Sequence, residues 1–176
     1  PLAIGAAIAA LGFALLALPG SDSGYWSGFF PGLAVVGLGL GISVAPLTIV
    51  VMAAVPANRA GLASGVNNSA SRVAMLMAVA VFGVVMFEMF SEHLEAALKS
   101  VALDDASRAL IGTRMPELAG LQTPPTLAAE LAAQLRNAVD DSFIAGFRAV
   151  ALISAALALL SAVVAAMTIP PHATKQ

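Results

Sequence analysis

Four apolar runs, at residues 2–18, 31–54, 59–87 and 143–169, constrain this chain more than any motif it carries. Each is close to the roughly 20 residues that a helix needs to cross the ~30 Å hydrocarbon core of a bilayer, where every backbone polar group must be satisfied within the helix itself. Composition matters here for one reason. With 60% hydrophobic and 10% charged residues, the chain has too few charges to coat a water-soluble surface of its size, because soluble domains are roughly one-quarter charged. The mean hydropathy of +0.94 points the same way. The expected fold is all-α and integral to the membrane, with four transmembrane helices.

The first run ends at Pro19-Gly20, and residues 21–30 form a turn-rich connection without Lys or Arg. Tyr25, Trp26, Phe29 and Phe30 are residue types that settle at headgroup level, so Tyr25 and Trp26 are expected as interfacial anchors. In the second run, Gly37 and Gly41 lie four apart and would let a neighbouring helix approach, while Pro46 removes one backbone hydrogen bond and is expected to kink the helix. The series Gly37, Gly39, Gly41 is no dinucleotide loop, because no strand precedes it and no acidic ribose partner follows. Pro56, Ala57 and Asn58 make a turn with Asn58 as a candidate N-cap. From Arg59 the helical pattern runs to Phe90, about 45 Å at 1.5 Å per residue, so part of it must tilt or protrude.

Nine of the ten acidic residues lie in 88–142. Phe90, Leu94, Leu98 and Val101 make one amphipathic face there; Leu127, Leu131, Leu135 and Val139 make another. Gly112, Pro116, Gly120, Pro124 and Pro125 break the stretch into helical pieces. An outer amphipathic helical loop, folded as a cap on the membrane surface, is expected, with a partner-binding loop as the alternative. The domain reading is three spans in 1–87, an extracytoplasmic loop at 88–142, a last span at 143–169 and a cytoplasmic tail at 170–176. Arg59 and Lys175 are the basic flanks of short segments, which places both ends of the chain in the cytoplasm.

Within 55–83, polar residues interrupt the oil. At helical spacing Gly61, Gly65, Asn68, Arg72 and Met75 share a face, with Ser64 and Ser71 at its edge. A charge this deep costs on the order of 3 kcal/mol or more in lipid, so it should face the bundle interior or a hydrated cavity. Asn67, Asn68, Ser71 and Arg72 are candidates for the lining of a translocation pathway or gate; the alternative makes Arg72 an anchor snorkelling to the headgroups. Gly61 and Gly65, like Gly37 and Gly41, are expected to pack helices together. Arg148, about a turn and a half into the last span, is expected as an outer interfacial anchor. Glu88 reads as a solvated carboxylate at the outer end of its span, with proton coupling as the alternative. Met75, Met77, Met86 and Met89 read as gap-filling core, or else as an adaptable surface for hydrophobic ligands.

Several chemistries are not supported. The chain has no cysteine, hence no disulfide or thiolate site, and His93 and His172 are isolated from other metal-ligating residues. No nucleophile, base and orienting group come together in the pattern, so neither an enzyme nor a bound cofactor is expected. A net charge of -2 gives nucleic acid no basic surface.

Pro56, Arg59, Gly61, Ala63-Ser64-Gly65, Asn67-Asn68, Ser71-Arg72 and the small-residue run to Gly83 resemble the penultimate span of the EmrB/QacA-type drug–proton antiporters, the fourteen-span branch of the major facilitator superfamily. Gly37 to Gly41 with Ala45-Pro46-Leu47 is similar to the preceding span, and Phe143 to Arg148 resembles the entry to the last. Ala74 and Met75 stand where glycines follow the arginine in that pattern. The resemblance implies a multidrug efflux transporter of the cell membrane, exporting small amphipathic substrates by proton antiport through alternating access. The proton gradient would supply the energy. This chain, opening at Pro1, is expected as its C-terminal fragment, with the remainder of the transporter chain and the lipid bilayer as partners. Two alternatives are a facilitator-type carrier for a metabolite and a self-contained four-span accessory protein whose loop binds a partner.

Overall fold

A computed structural model describes residues 1–101, 103–120 and 128–168. All of its regular structure is helical: α1 (Leu2–Leu16), α2 (Phe30–Ala53), α3 (Ala60–Leu98), α4 (Asp105–Arg114) and α5 (Ala129–Thr168). A single π turn, Tyr25–Phe29, leads into α2, and short 3-10 turns at Ala57–Arg59 and Met115–Gly120 precede α3 and follow α4. The expectations that rest on Leu127, Pro124 and Pro125, and on the end of the last run with its tail, including His172 and Lys175, lie outside the described residues.

Three stretches are long and apolar enough to cross a membrane, Tyr25–Ala53, Ala57–Leu98 and Ala129–Thr168. At 15 residues α1 falls short, because about 20 are needed. The structure therefore supports three spans by length where the sequence predicts four. The protein is an all-α, multi-pass membrane protein.

Two of the helices outrun the apolar segments that suggested them. The pattern Phe90, Leu94, Leu98 keeps helical spacing with no Gly or Pro to stop it, so α3 continues unbroken to Leu98 as 39 residues, about 58 Å. In the same way α5 starts at Ala129 and runs for 40 residues. Residues 88–142 are consequently built largely on the continuations of α3 and α5, with α4 laid against them. Their core is Phe90, Leu94, Leu98, Ile111, Leu135 and Val139, all nearly or fully buried, with Leu103, Met115, Leu118, Ala138 and Phe143 around it. Phe90, Leu94 and Leu98 of one expected face and Leu135 and Val139 of the other meet in this one core.

A second contact region joins α1, α2 and α5. Helices α1 and α2 form an antiparallel hairpin, and small residues are what let it close. A Cβ added at Gly39 would sit 2.7 Å from the Gly5 carbonyl oxygen and 2.8 Å from the Ala9 Cα; one at Gly12 would meet the Val36 amide at 2.5 Å, and one at Gly32 the Leu16 side chain at 2.8 Å. Without glycine there the backbones could not approach so closely. Beyond the hairpin, Leu16, Ala17 and Val36 pack with Ala151 of α5, flanked by Phe13, Phe29 and Phe147. Helix α2 passes through Pro46 without a break, which leaves the Ile42 carbonyl without its i+4 amide.

Helix α5 is thus common to both regions, packing on α1 and on α3. The two helices α3 and α5 cross closest at Gly146, where an added Cβ would lie 2.8 Å from Met86 Sδ and 3.0 Å from its carbonyl oxygen. Helix α3 touches α2 only weakly. Its first half diverges from the hairpin, and every residue from 68 to 77 is exposed.

Candidate functional site

That bare half of α3 carries the pathway candidates. Asn67 is half-buried; Asn68, Ser71 and Arg72 are exposed. Their side chains meet no hydrogen-bond or ion-pair partner among the described residues. The hydrophobic residues that follow them are as bare: Met75 is 68% exposed, Leu76 72% and Val79 70%. The structure brings the candidates together along one stretch of helix, but it does not join them to a second element. Beside their stripe runs a shallow apolar groove whose floor includes Gly61, Gly65, Ser69, Val73 and Met77. Gly61 and Gly65 border both surfaces.

The expected packing glycines meet no second helix among the described residues. Nothing lies within 4 Å of a Cβ built at Gly37, Gly41, Gly61 or Gly65. The contacts within the described residues are made by Gly5, Gly12, Gly32, Gly39 and Gly146 instead. Spacing alone cannot choose between faces: in Gly37-Leu38-Gly39-Leu40-Gly41 the outer pair and the middle glycine point in different directions, and only the position of α1 selects the middle one.

Arg148 has a role the sequence did not disclose. Its Nε donates to the Ala17 carbonyl at 2.8 Å and its Nη2 to the Pro19 carbonyl at 3.4 Å. These acceptors lie just past the end of α1. The preceding orphans are already taken, since the Ala17 amide bonds back to the Ala14 carbonyl and the Leu18 amide to that of Leu15. The guanidinium therefore continues the C-terminal capping of α1 with a permanent positive charge, at the end of the helix where the dipole favours one. Two turns earlier on the same helix, the Asp141 carboxylate accepts the Ser21 hydroxyl at 2.5 Å. Phe147 stacks edge-on against Phe29, with ring centroids 5.8 Å apart. Tyr25 and Trp26, expected as anchors, are 54% and 74% exposed. They form an aromatic cluster with Phe30, Trp26 lying 5.4 Å from Tyr25 and 5.1 Å from Phe30.

The residues around α4 show ordinary polar chemistry. Asp104 stands at the N-cap position in extended backbone (φ -69°, ψ 158°), and the Ser107 hydroxyl, with nearby amides, holds its carboxyl below the usual carboxylate range against the opposing effect of desolvation. Arg114 pairs with Glu117 at 3.1 Å. Arg108 donates to the Leu98 carbonyl at 3.4 Å, closing the end of α3 much as Arg148 closes α1. His93 bonds only to the Met89 carbonyl of its own helix. Among the described residues no three His, Asp or Glu side chains are grouped to hold a metal.

Residues with no partner on a long apolar helix invite comparison with larger membrane proteins. Over 74 residues, 42% of the chain, it is 43% identical to a triacylglyceride transporter of Mycolicibacterium smegmatis. Over 77 residues, 44% of the chain, it is 36% identical to the multidrug resistance protein Stp of Mycobacterium tuberculosis. Over 112 residues, 64% of the chain, it is 34% identical to the "Probable actinorhodin transporter" of Streptomyces coelicolor. This chain is related to membrane transport proteins. The matched segments are 13%, 14% and 18% of those relatives' own lengths. No family model matches the chain, and no solved structure matches it.

The relationship is to transporters rather than to enzymes.

Proposed function

We propose that this chain supplies the C-terminal part of one helical bundle of an EmrB/QacA-type efflux carrier, driven by proton antiport and working by alternating access. The observation that carries the reading is the bare first half of α3, with Asn67, Asn68, Ser71 and Arg72 on it, in a chain related to transport and resistance proteins. An arginine and two asparagines are costly against lipid, so a second bundle or a hydrated pathway is their natural counterpart. Gly61, Gly65, Gly37 and Gly41 then meet helices of that second bundle. Helix α1 acts as a fourth span, the α4 region lies outside, both ends of the chain lie in the cytoplasm, and spans end near residues 87 and 143.

The names of the relatives extend from triacylglyceride to drugs and actinorhodin, which favours a bulky, largely apolar cargo. A lipid cargo is the second reading, favoured by the 43% identity to the triacylglyceride transporter.

The test expresses the full-length protein in a host stripped of its own pumps. Raised tolerance to several cationic amphipathic drugs, abolished by a protonophore, is the expected result. Unchanged tolerance across the panel with altered export of neutral lipid would select the second reading, and no change in either would end both.

A further inference from the structure

We infer that Arg148, with Asp141, is a positioning clasp that fixes the outer end of the α1–α2 hairpin to α5, so that these three helices move as one body while the first half of α3 is free to move against them. This deepens the proposed transport reading and rests on it only for its consequence in transport.

Three kinds of bond converge on one side of α5 within two turns. Asp141 accepts from Ser21, Phe147 stacks on Phe29, and Arg148 donates to the Ala17 and Pro19 carbonyls. Residues 141 and 148 are seven apart, two helical turns, and so face the same way. The acceptor and the donor on this face therefore grip opposite ends of a five-residue segment, Ala17 to Ser21. The Ala17 end is also held by its packing with Leu16, Val36 and Ala151 and by the Ala17 and Leu18 amides on the Ala14 and Leu15 carbonyls. The far end is held less: Ser21 and Asp22 are exposed, and its further ties run from the Gly20 amide to Ser23 Oγ and from the Ser23 amide to the Gly20 carbonyl. Arg148 has no carboxylate within ion-pair distance among the described residues, Asp141 lying two turns away along α5. Its charge is thus committed to backbone carbonyls. Helix α3, by contrast, shares little with α2, and its residues 68–77 are all exposed, whereas its second half packs on α5 through Met86, Phe90 and Leu94. The division between a clasped trio and the first half of α3 follows from where the contacts are.

The test is amide hydrogen exchange on the full-length protein in lipid nanodiscs. In Arg148→Met, exchange at Ala17, Leu18, Gly20 and Ser23 should rise about tenfold, the scale of losing a charge-assisted hydrogen bond. Exchange in α4 should not change. Arg148→Lys keeps the charge but not the fork and should fall between. Ser21→Ala should loosen the same amides, and it serves if Arg148→Met does not fold. Arg108→Met, which uncaps α3 instead, should leave residues 17–23 as they were. Unaltered exchange there in both Arg148→Met and Ser21→Ala overturns the clasp, whatever the transport result. Where the parent protein transports a substrate, Arg148→Met at equal protein level should lower the maximal rate several-fold with KM unchanged. An altered KM with the rate unchanged would overturn the rigid-body role. A parent protein that transports nothing would refute the proposed function and leave the exchange result standing.

Discussion

Arg72 and Arg148 are both arginines in apolar helices, and their surroundings separate them. Arg148 is spent on the carbonyls past α1, whereas Arg72 meets nothing among the described residues. On the proposed reading Arg72→Ala abolishes most transport at unchanged protein level, measured by drug accumulation beside a quantitative immunoblot; full transport by the variant would return Arg72 to a headgroup anchor. Asp104 allows a prediction with a definite sign. Its folded carboxyl titrates below the unfolded value of about 3.9, so its stabilising contribution is present above that value and is lost as pH falls through the lower, folded one. In Asp104→Asn the thermal midpoint of the α4 region should depend less on pH across this acid window. A slope equal to the parent's would show that Asp104 contributes nothing.

At the scale of elements, the continuity of α3 and α5 decides the character of 88–142. A loop of amphipathic pieces lying on a bilayer would bury its apolar faces in lipid, but Phe90, Leu94 and Leu135 bury theirs completely against one another. Phe90→Ala should therefore destabilise this region by roughly 3–5 kcal/mol, the usual cost of emptying a buried aromatic site. Limited trypsin digestion of the full-length protein should then cut sooner after Lys99, Arg108 or Arg114. Cleavage no faster than in the parent would mean that the helices hold together without this core. The hairpin of α1 and α2 is the opposite case: its contact is made by the absence of side chains, at Gly5, Gly12, Gly32 and Gly39.

For the whole molecule the question is which surfaces face lipid, which face water and which face more protein. Ser100 lies exposed next to the core that Phe90, Leu94 and Leu98 share with α4 and α5, and this chain carries no cysteine of its own to confuse a label. Ser100→Cys should react with a membrane-impermeant maleimide added outside intact cells; labelling only after lysis would invert the proposed orientation. The first halves of α3 and α5 are differently served. The start of α5 packs on α3 and on the turn Met115–Gly120, while residues 68–77 of α3 are all exposed, so the proposed second bundle has a place to dock there.

The sequence by itself determined the membrane class, the four apolar runs and the existence of both amphipathic faces in 88–142, because length, hydropathy and helical period are local properties of the chain. It also marked the polar stripe on α3, since a charge in oil stands out wherever the helix is placed. Only the tertiary structure decided which glycine of Gly37 to Gly41 meets another helix, that Phe90 and Leu135 share a core, and that Arg148 holds the end of α1. Those are contacts between residues as much as 131 positions apart, and they depend on the rotation of one helix against another, which the period of either helix alone leaves open.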